Sequence, residues 1–230
     1  MNKSTKYFPT STLLSLLALC SACSLPTTNA QETPESWYQE GQAAVRRNLA
    51  LRNQVPIDAV AKNVILFVGD GMGISTITAA RILEGQLRGE SGEENELFFE
   101  SFPNVALSKT YNTNGQVPDS AGTMSAMATG IKTDVGLISV NQNVVRGDCS
   151  SMLGNRTLTF LERAEMRGLA TGVVSTARLT HATPAANYAH SMDRNFEDDR
   201  DATVLSNAGD CVDIARQLVE FSSNVPNSNG

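Results

Sequence analysis

Positive charge is in short supply in this chain. Lys and Arg number 18 against 24 Asp and Glu, for a net charge of −6. That balance excludes a generic polyanion-binding surface, and with it nucleic-acid binding as such. It does not exclude a locally positive pocket for a small anionic substrate. Long hydrophobic runs are missing too. The apolar run Leu13 to Leu19 is too short to span a bilayer. It follows Lys3 and Lys6 and precedes small residues, which is the pattern of a secretory signal over residues 1–30. Two exits fit. One is cleavage after Thr28-Asn29-Ala30. The other is a lipoprotein box, Leu19-Cys20-Ser21-Ala22-Cys23, with a lipid anchor at Cys23, although Cys20 stands where an aliphatic residue is usual. Either way the remainder, residues 31–230, is expected to be exported: periplasmic, anchored at the outer membrane or secreted.

Cysteine and histidine are scarce. Of four cysteines, Cys20 and Cys23 belong to the signal. Cys149 and Cys211 remain in an oxidising compartment and are read as a disulfide, the alternative being two buried free thiols. The two histidines are His181 and His190, and none follows. A lone histidine is more often structural than a ligand, and His190 is assigned to that class.

Two nucleotide-binding signatures are absent at the place that invites them. The stretch VILFVGDGMGIS, residues 64–75, ends a run of β-formers on glycines. Its G-x-G-x-G spacing is not the dinucleotide fingerprint, and no acidic residue closes the next expected strand, which ends Ser108-Lys109-Thr110. No G-K-[ST] follows either. What remains is Asp70 at the carboxyl end of a buried strand, flanked by glycines that leave its carboxylate open. That suits a cation, or else the cap of the following helix.

The pattern predicts helices over about 34–51, 74–87, 120–129, 157–167 and 211–221. It predicts strands over 63–68, 105–110, 136–140 and 171–176. Residues 89–95 read as an acidic surface loop. Strands alternating with helices imply an α/β fold with a parallel-rich sheet sandwiched by helices. The tail Ser222–Gly230 is turn chemistry with no strand after it, so the sheet is expected to be incomplete and the chain to stop short.

Two further stretches carry chemistry. Pro118-Asp119-Ser120-Ala121-Gly122-Thr123 sets a serine at the start of a small-residue helix, where the helix field stabilises an alkoxide; the plain alternative is an N-cap. In the stretch from His181 to Arg194, His181 and Thr183 can face one site. Arg194 can pair with a carboxylate or grip two phosphate oxygens.

GDGMG, VPDSAGT and HATPAANYAHSMDRN, in that order, resemble the motifs of the alkaline phosphatase family. The resemblance runs from about Trp37 to Glu220. It implies phosphate monoester hydrolysis through a phosphoserine, at a site of two Zn2+ ions and a third metal, usually Mg2+. Asp70 is similar to the carboxylate bridging a zinc and the third metal. Ser120 resembles the nucleophile and zinc ligand, and Arg194 the phosphate-binding arginine, which Asp119 would orient. His181 and Thr183 fall on third-metal positions; some bacterial members carry Asp at the first. Cys149 and Cys211 fall where the vertebrate-type branch has a disulfide. Family members are commonly homodimers, so the leading helix is expected to pack on a second subunit. The family's remaining metal ligands come from later in the chain, and with no His after His190 these 230 residues are expected to be inactive alone. Two rivals stand beside this reading: another hydrolase of the same superfamily, and a non-catalytic exported module that holds phosphate or a metal.

Overall fold

The computed structural model describes residues 34–53, 60–200 and 211–221. The predicted signal, both of its exits and the tail lie outside the described residues. Among the described residues no helix is long and apolar enough to cross a membrane.

The chain forms two compact units. Among the described residues, one comprises 34–53, 60–63 and 73–105; the other comprises 64–72, 106–200 and 211–221. In the first, α1 spans Pro34–Arg52 and α2 spans Ile74–Leu87, followed by a 3-10 turn at Phe98–Ser101. Both helices keep their predicted bounds. Gly73 is the cap of α2, with no side chain closing it, so Asp70 is not that cap. Residues 89–95 are more than a surface loop. Asn95 is buried and donates to Arg81 O at 2.9 Å and to Glu84 Oε2 at 2.8 Å. Gly92, at φ 97°, sits so close to Ile82 O that a Cβ would fall 2.3 Å from it.

In the second unit α3 spans Ser120–Thr129, as expected, and ends on the left-handed Gly130. A 3-10 turn at Cys149–Met152 follows, then α4 (Phe160–Glu165), α5 (Ala182–Ala185) and α6 (Ile214–Val219). Helix α4 is shorter than the predicted 157–167 and is capped by Thr159. Thr159 accepts from Glu162 N while the Glu162 side chain accepts from Thr159 N, a closed capping box. The α3–α5 contact builds one core, in which Ala121, Met124 and Ala128 meet Ala182, Ala185, Ala186 and Ile138. Small side chains here let the helices approach closely. A second core gathers Leu137, Val140, Met152, Met192 and Phe196 beside the Cys149–Cys211 disulfide, whose Cα atoms are 5.7 Å apart.

The expected parallel sheet is not formed among the described residues. Residues 64–68, 106–110 and 171–175 carry no regular secondary structure, and Phe67 and Val174 are 90% and 99% exposed. A strand exists only through a backbone hydrogen-bonded beside it, and among the described residues no backbone–backbone hydrogen bond pairs these three. Only 136–140 finds partners, as isolated bridges Ile138–Ser191 and Val140–Arg156, both antiparallel.

Candidate active site

The site is assembled around the first turn of α3. Asp119 caps the helix, its Oδ1 accepting from Gly122 N at 3.1 Å and from Asn112 Nδ2 at 2.8 Å. Its Oδ2 accepts from Gly136 N at 3.0 Å and from Arg194 Nη1 at 3.1 Å. Burial opposes ionisation of this carboxyl, but the donors from Gly122, Asn112 and Arg194 outweigh it and hold its pKa below the ordinary value. Gly122 is required by packing. A Cβ there would lie 2.6 Å from Asn112 Nδ2 and displace the side chain that secures Asp119. Ser120 follows as the first residue of α3 and is half-buried.

Arg194 is fixed at both ends. Its backbone N donates to Gly136 O at 2.8 Å, and its guanidinium spans from Asp119 to His181, with Nη2 3.3 Å from the ring Nε2. The short helix α5 begins just after His181 and carries Thr183. The Thr183 hydroxyl donates to Asp70 Oδ2 at 2.7 Å. His181 Nδ1 lies 3.8 Å from the same oxygen, is buried, and has no hydrogen-bond partner. Five of the six residues expected from sequence are therefore linked in one chain of contacts, in the order Thr183, Asp70, His181, Arg194 and Asp119. Ser120 adjoins it through the backbone.

The oxygens of Asp70 and Thr183 beside the His181 ring fit a divalent cation; His181 can join through Nδ1 when the ring proton sits on Nε2, which gives up the contact with the Arg194 donor. A neutral imidazole and oxygen donors suit Mg2+ or Zn2+ according to the rest of the shell. Among the described residues no group of three or more His, Cys, Asp or Glu converges, so Asp70, His181 and Thr183 offer part of a shell.

Sequence reasoning missed Arg146. Its Nε and Nη2 fork onto Asp193, at 2.8 and 3.2 Å, one residue before Arg194. The pairing spans 47 residues and left no local pattern to read. Asn112 was missed as well, within what reads as a plain turn. His190, assigned a structural place, is buried, with Nδ1 2.7 Å from Ser139 O and Nε2 2.9 Å from Glu162 Oε1.

Residues 61–225 match the family model described as alkaline phosphatase. The tissue-nonspecific alkaline phosphatase isozyme of Gallus gallus is 49% identical over 215 residues, 93% of this chain and 40% of that protein. The Homo sapiens tissue-nonspecific isozyme is 46% identical over 189 residues, 82% of this chain and 36% of that protein. The chain thus spans about two fifths of the length of the curated relatives it matches. Among solved structures, a mutant of the alkaline phosphatase of the Antarctic bacterium TAB5, with Mg bound in its M3 site, aligns with a TM-score of 0.50. That alignment has 27% sequence identity and covers 66% of this chain and 35% of the TAB5 chain. With a family model across most of its length and relatives at nearly half identity, this chain belongs to the alkaline phosphatase family.

Proposed function

We propose that the full-length protein hydrolyses phosphate monoesters to an alcohol and inorganic phosphate, with Ser120 as nucleophile. The observation that carries this reading is the contact chain from Thr183 through Asp70, His181 and Arg194 to Asp119, at the helix start that bears Ser120. A phosphomonoester needs fixed positive charge on the oxygens that do not react, a nucleophile in line, and stabilisation of the departing alkoxide. Arg194 supplies the first with a planar fork that Asp119 and Gly136 hold in place. Ser120 supplies the second. Its Oγ forms a bond to phosphorus as the ester oxygen leaves with the electron pair and takes up a proton. Water then breaks the bond between phosphorus and Ser120, releasing phosphate and restoring the hydroxyl. Asp70, His181 and Thr183 would hold Mg2+, and Asp70 with Ser120 would share a Zn2+ with residues elsewhere in the protein. Bound there, the metals would supply Lewis-acid charge for the nucleophile and leaving group.

The same reading takes the protein to be exported behind residues 1–30, with an anchor at Cys23 if the lipoprotein exit is used. It takes α1, whose Tyr38, Val45 and Leu49 are exposed, to pack on a second copy. The test of the activity is to supply the full-length protein with zinc and magnesium and assay an aryl phosphate at alkaline pH. Labelled phosphate should be trapped on Ser120. Trapping on another residue, or turnover that survives Ser120→Ala, would defeat the assignment.

A further inference from the structure

Arg194 depends on a second arginine. Its contacts close a small circuit: Arg194 Nη1 reaches Asp119 Oδ2, Gly136 N reaches the same oxygen, and Arg194 N returns to Gly136 O. Two points of that circuit touch Arg146. The first is Asp193, next to Arg194 in the chain. Arg146 occupies both of its oxygens, and Asp193 Oδ1 also accepts from Asn195 N at 2.9 Å, closing the turn that presents Arg194. The second is Gly136. A Cβ built there would lie 2.4 Å from Arg146 Cζ and 2.5 Å from Nε, so the guanidinium rests directly on the glycine backbone. The chain beside it is tied in as well, Gly147 N donating to Met192 O at 3.1 Å.

We infer that Arg146 is a positioning residue for the phosphate-binding arginine: it braces Gly136 and Asp193 together, and so sets where the Arg194 fork points. The inference rests on the proposed phosphate chemistry of the site. It uses features that only arginine combines, a planar face to lie on Gly136 and two parallel donors for Asp193. The hydrogen bond to Asp193 raises the Arg146 pKa, burial works against it, and the charges of Asp193 and Asp119 add to the rise. The brace therefore stays cationic throughout the alkaline range. Its charge is felt at Asp119, but its side chain is 43% exposed, so position rather than field is the larger contribution expected.

The test uses the full-length protein and compares wild type with Arg146→Met, Arg146→Lys and Gly136→Ala. Steady-state kinetics on an aryl phosphate and competitive inhibition by inorganic phosphate are read for each. Arg146→Met should raise KM and the phosphate inhibition constant together by about tenfold, because a misplaced Arg194 fork grips the phosphate oxygens less well in ground state and transition state alike, while kcat changes far less. Arg146→Lys keeps the charge and loses the fork, so it should recover little. Gly136→Ala pushes the guanidinium off its seat and also strains a backbone held at φ 85°, so it should raise KM and the inhibition constant at least as far as Arg146→Met. Unchanged KM and inhibition constant in Arg146→Met, or full recovery in Arg146→Lys, would overturn the brace and leave the phosphatase reading standing. A wild-type protein that neither turns over nor binds phosphate would overturn both.

Discussion

The Thr183 hydroxyl donates a 2.7 Å hydrogen bond to Oδ2 of Asp70, a residue 113 positions earlier in the chain. Asp70 is 42% exposed on its side chain, so nothing about burial forces this pairing. The hydroxyl fixes the rotamer of a carboxylate that also faces the unpartnered Nδ1 of His181. Thr183→Val removes the hydroxyl at nearly constant shape. It should weaken Mg2+ binding by about tenfold, as loss of a group that holds a metal ligand commonly does, while Thr183→Ser retains it. Calorimetric titration of Mg2+ reads this directly. Equal affinity in Thr183→Val and wild type would remove Thr183 from the site.

Ser120 stands first in α3, beside its cap and half-buried. Ser120→Ala should cut turnover by several orders of magnitude, since a nucleophile cannot be replaced by its surroundings. Circular dichroism should show the fold unchanged, because the cap is Asp119 and its bond to Gly122 N survives. An alanine variant of near-normal rate would place the chemistry elsewhere.

Asp119 accepts four hydrogen bonds, two at each oxygen. Asn in its place keeps one accepting oxygen and turns an amide toward two of the former donors. Asp119→Asn should therefore raise the phosphate inhibition constant by about tenfold through a misaligned Arg194. The wild-type carboxylate is held ionised below the ordinary Asp range. Its titration should leave no limb in the pH profile of KM above about pH 4. A limb between pH 5 and 8 that vanishes in Asp119→Asn would contradict this.

The parts of the site legible in sequence are those written in adjacent residues. Pro118-Asp119-Ser120 announces a capped helix, and α3 begins where that signal stands. With Cys20 and Cys23 in the predicted signal, Cys149 and Cys211 remain as a pair, and they are bridged. Thr159-Phe160-Leu161-Glu162 spells a capping box that locates the α4 cap two residues beyond the predicted helix start at 157. The sheet was not legible in the same way. Residues 64–68 have strand composition, but a strand is defined by what lies beside it. Arg146 was hidden for a related reason, since its two seats, Gly136 and Asp193, are separated by 57 residues of chain.

The Cys149–Cys211 bridge closes a separation of 62 residues over the second core. In the chain-entropy account, opening it should cost about 4 kcal/mol of stability. Urea unfolding of wild type against the double alanine variant measures this. A difference under about 1 kcal/mol would show that the reduced chain is already restrained, as residual structure in the unfolded state can do.

The last prediction concerns the buried pair Glu162 and His190, each 9% exposed on its side chain. Ser139 O can only accept, so His190 Nδ1 carries a proton. Nε2 faces Glu162 Oε1, and Oε2 accepts from Thr159 N at 2.7 Å. Burial raises the Glu162 pKa, but the bonds and charge from His190 and the Thr159 donors outweigh it, and the net shift is downward. The folded pKa thus lies below the unfolded one. The stabilising contribution is whole above the ordinary Glu value of about 4.3 and is lost as pH falls through the lower folded value. Glu162→Gln can satisfy the same positions without charge: its oxygen accepts from Thr159 N while its amide donates to the Nε2 of a neutral ring. Its cost at pH 7 should be small, and its stability should fall less than wild type between about pH 5 and 3. Glu162→Leu leaves Nε2 and Thr159 N buried without partners and should cost about 3–5 kcal/mol, the range for breaking a buried pair from one side. Urea unfolding of the three proteins from pH 3.5 to 8 separates these outcomes. Parallel pH dependence in wild type and Glu162→Gln would show that the pair contributes nothing to the acid limb.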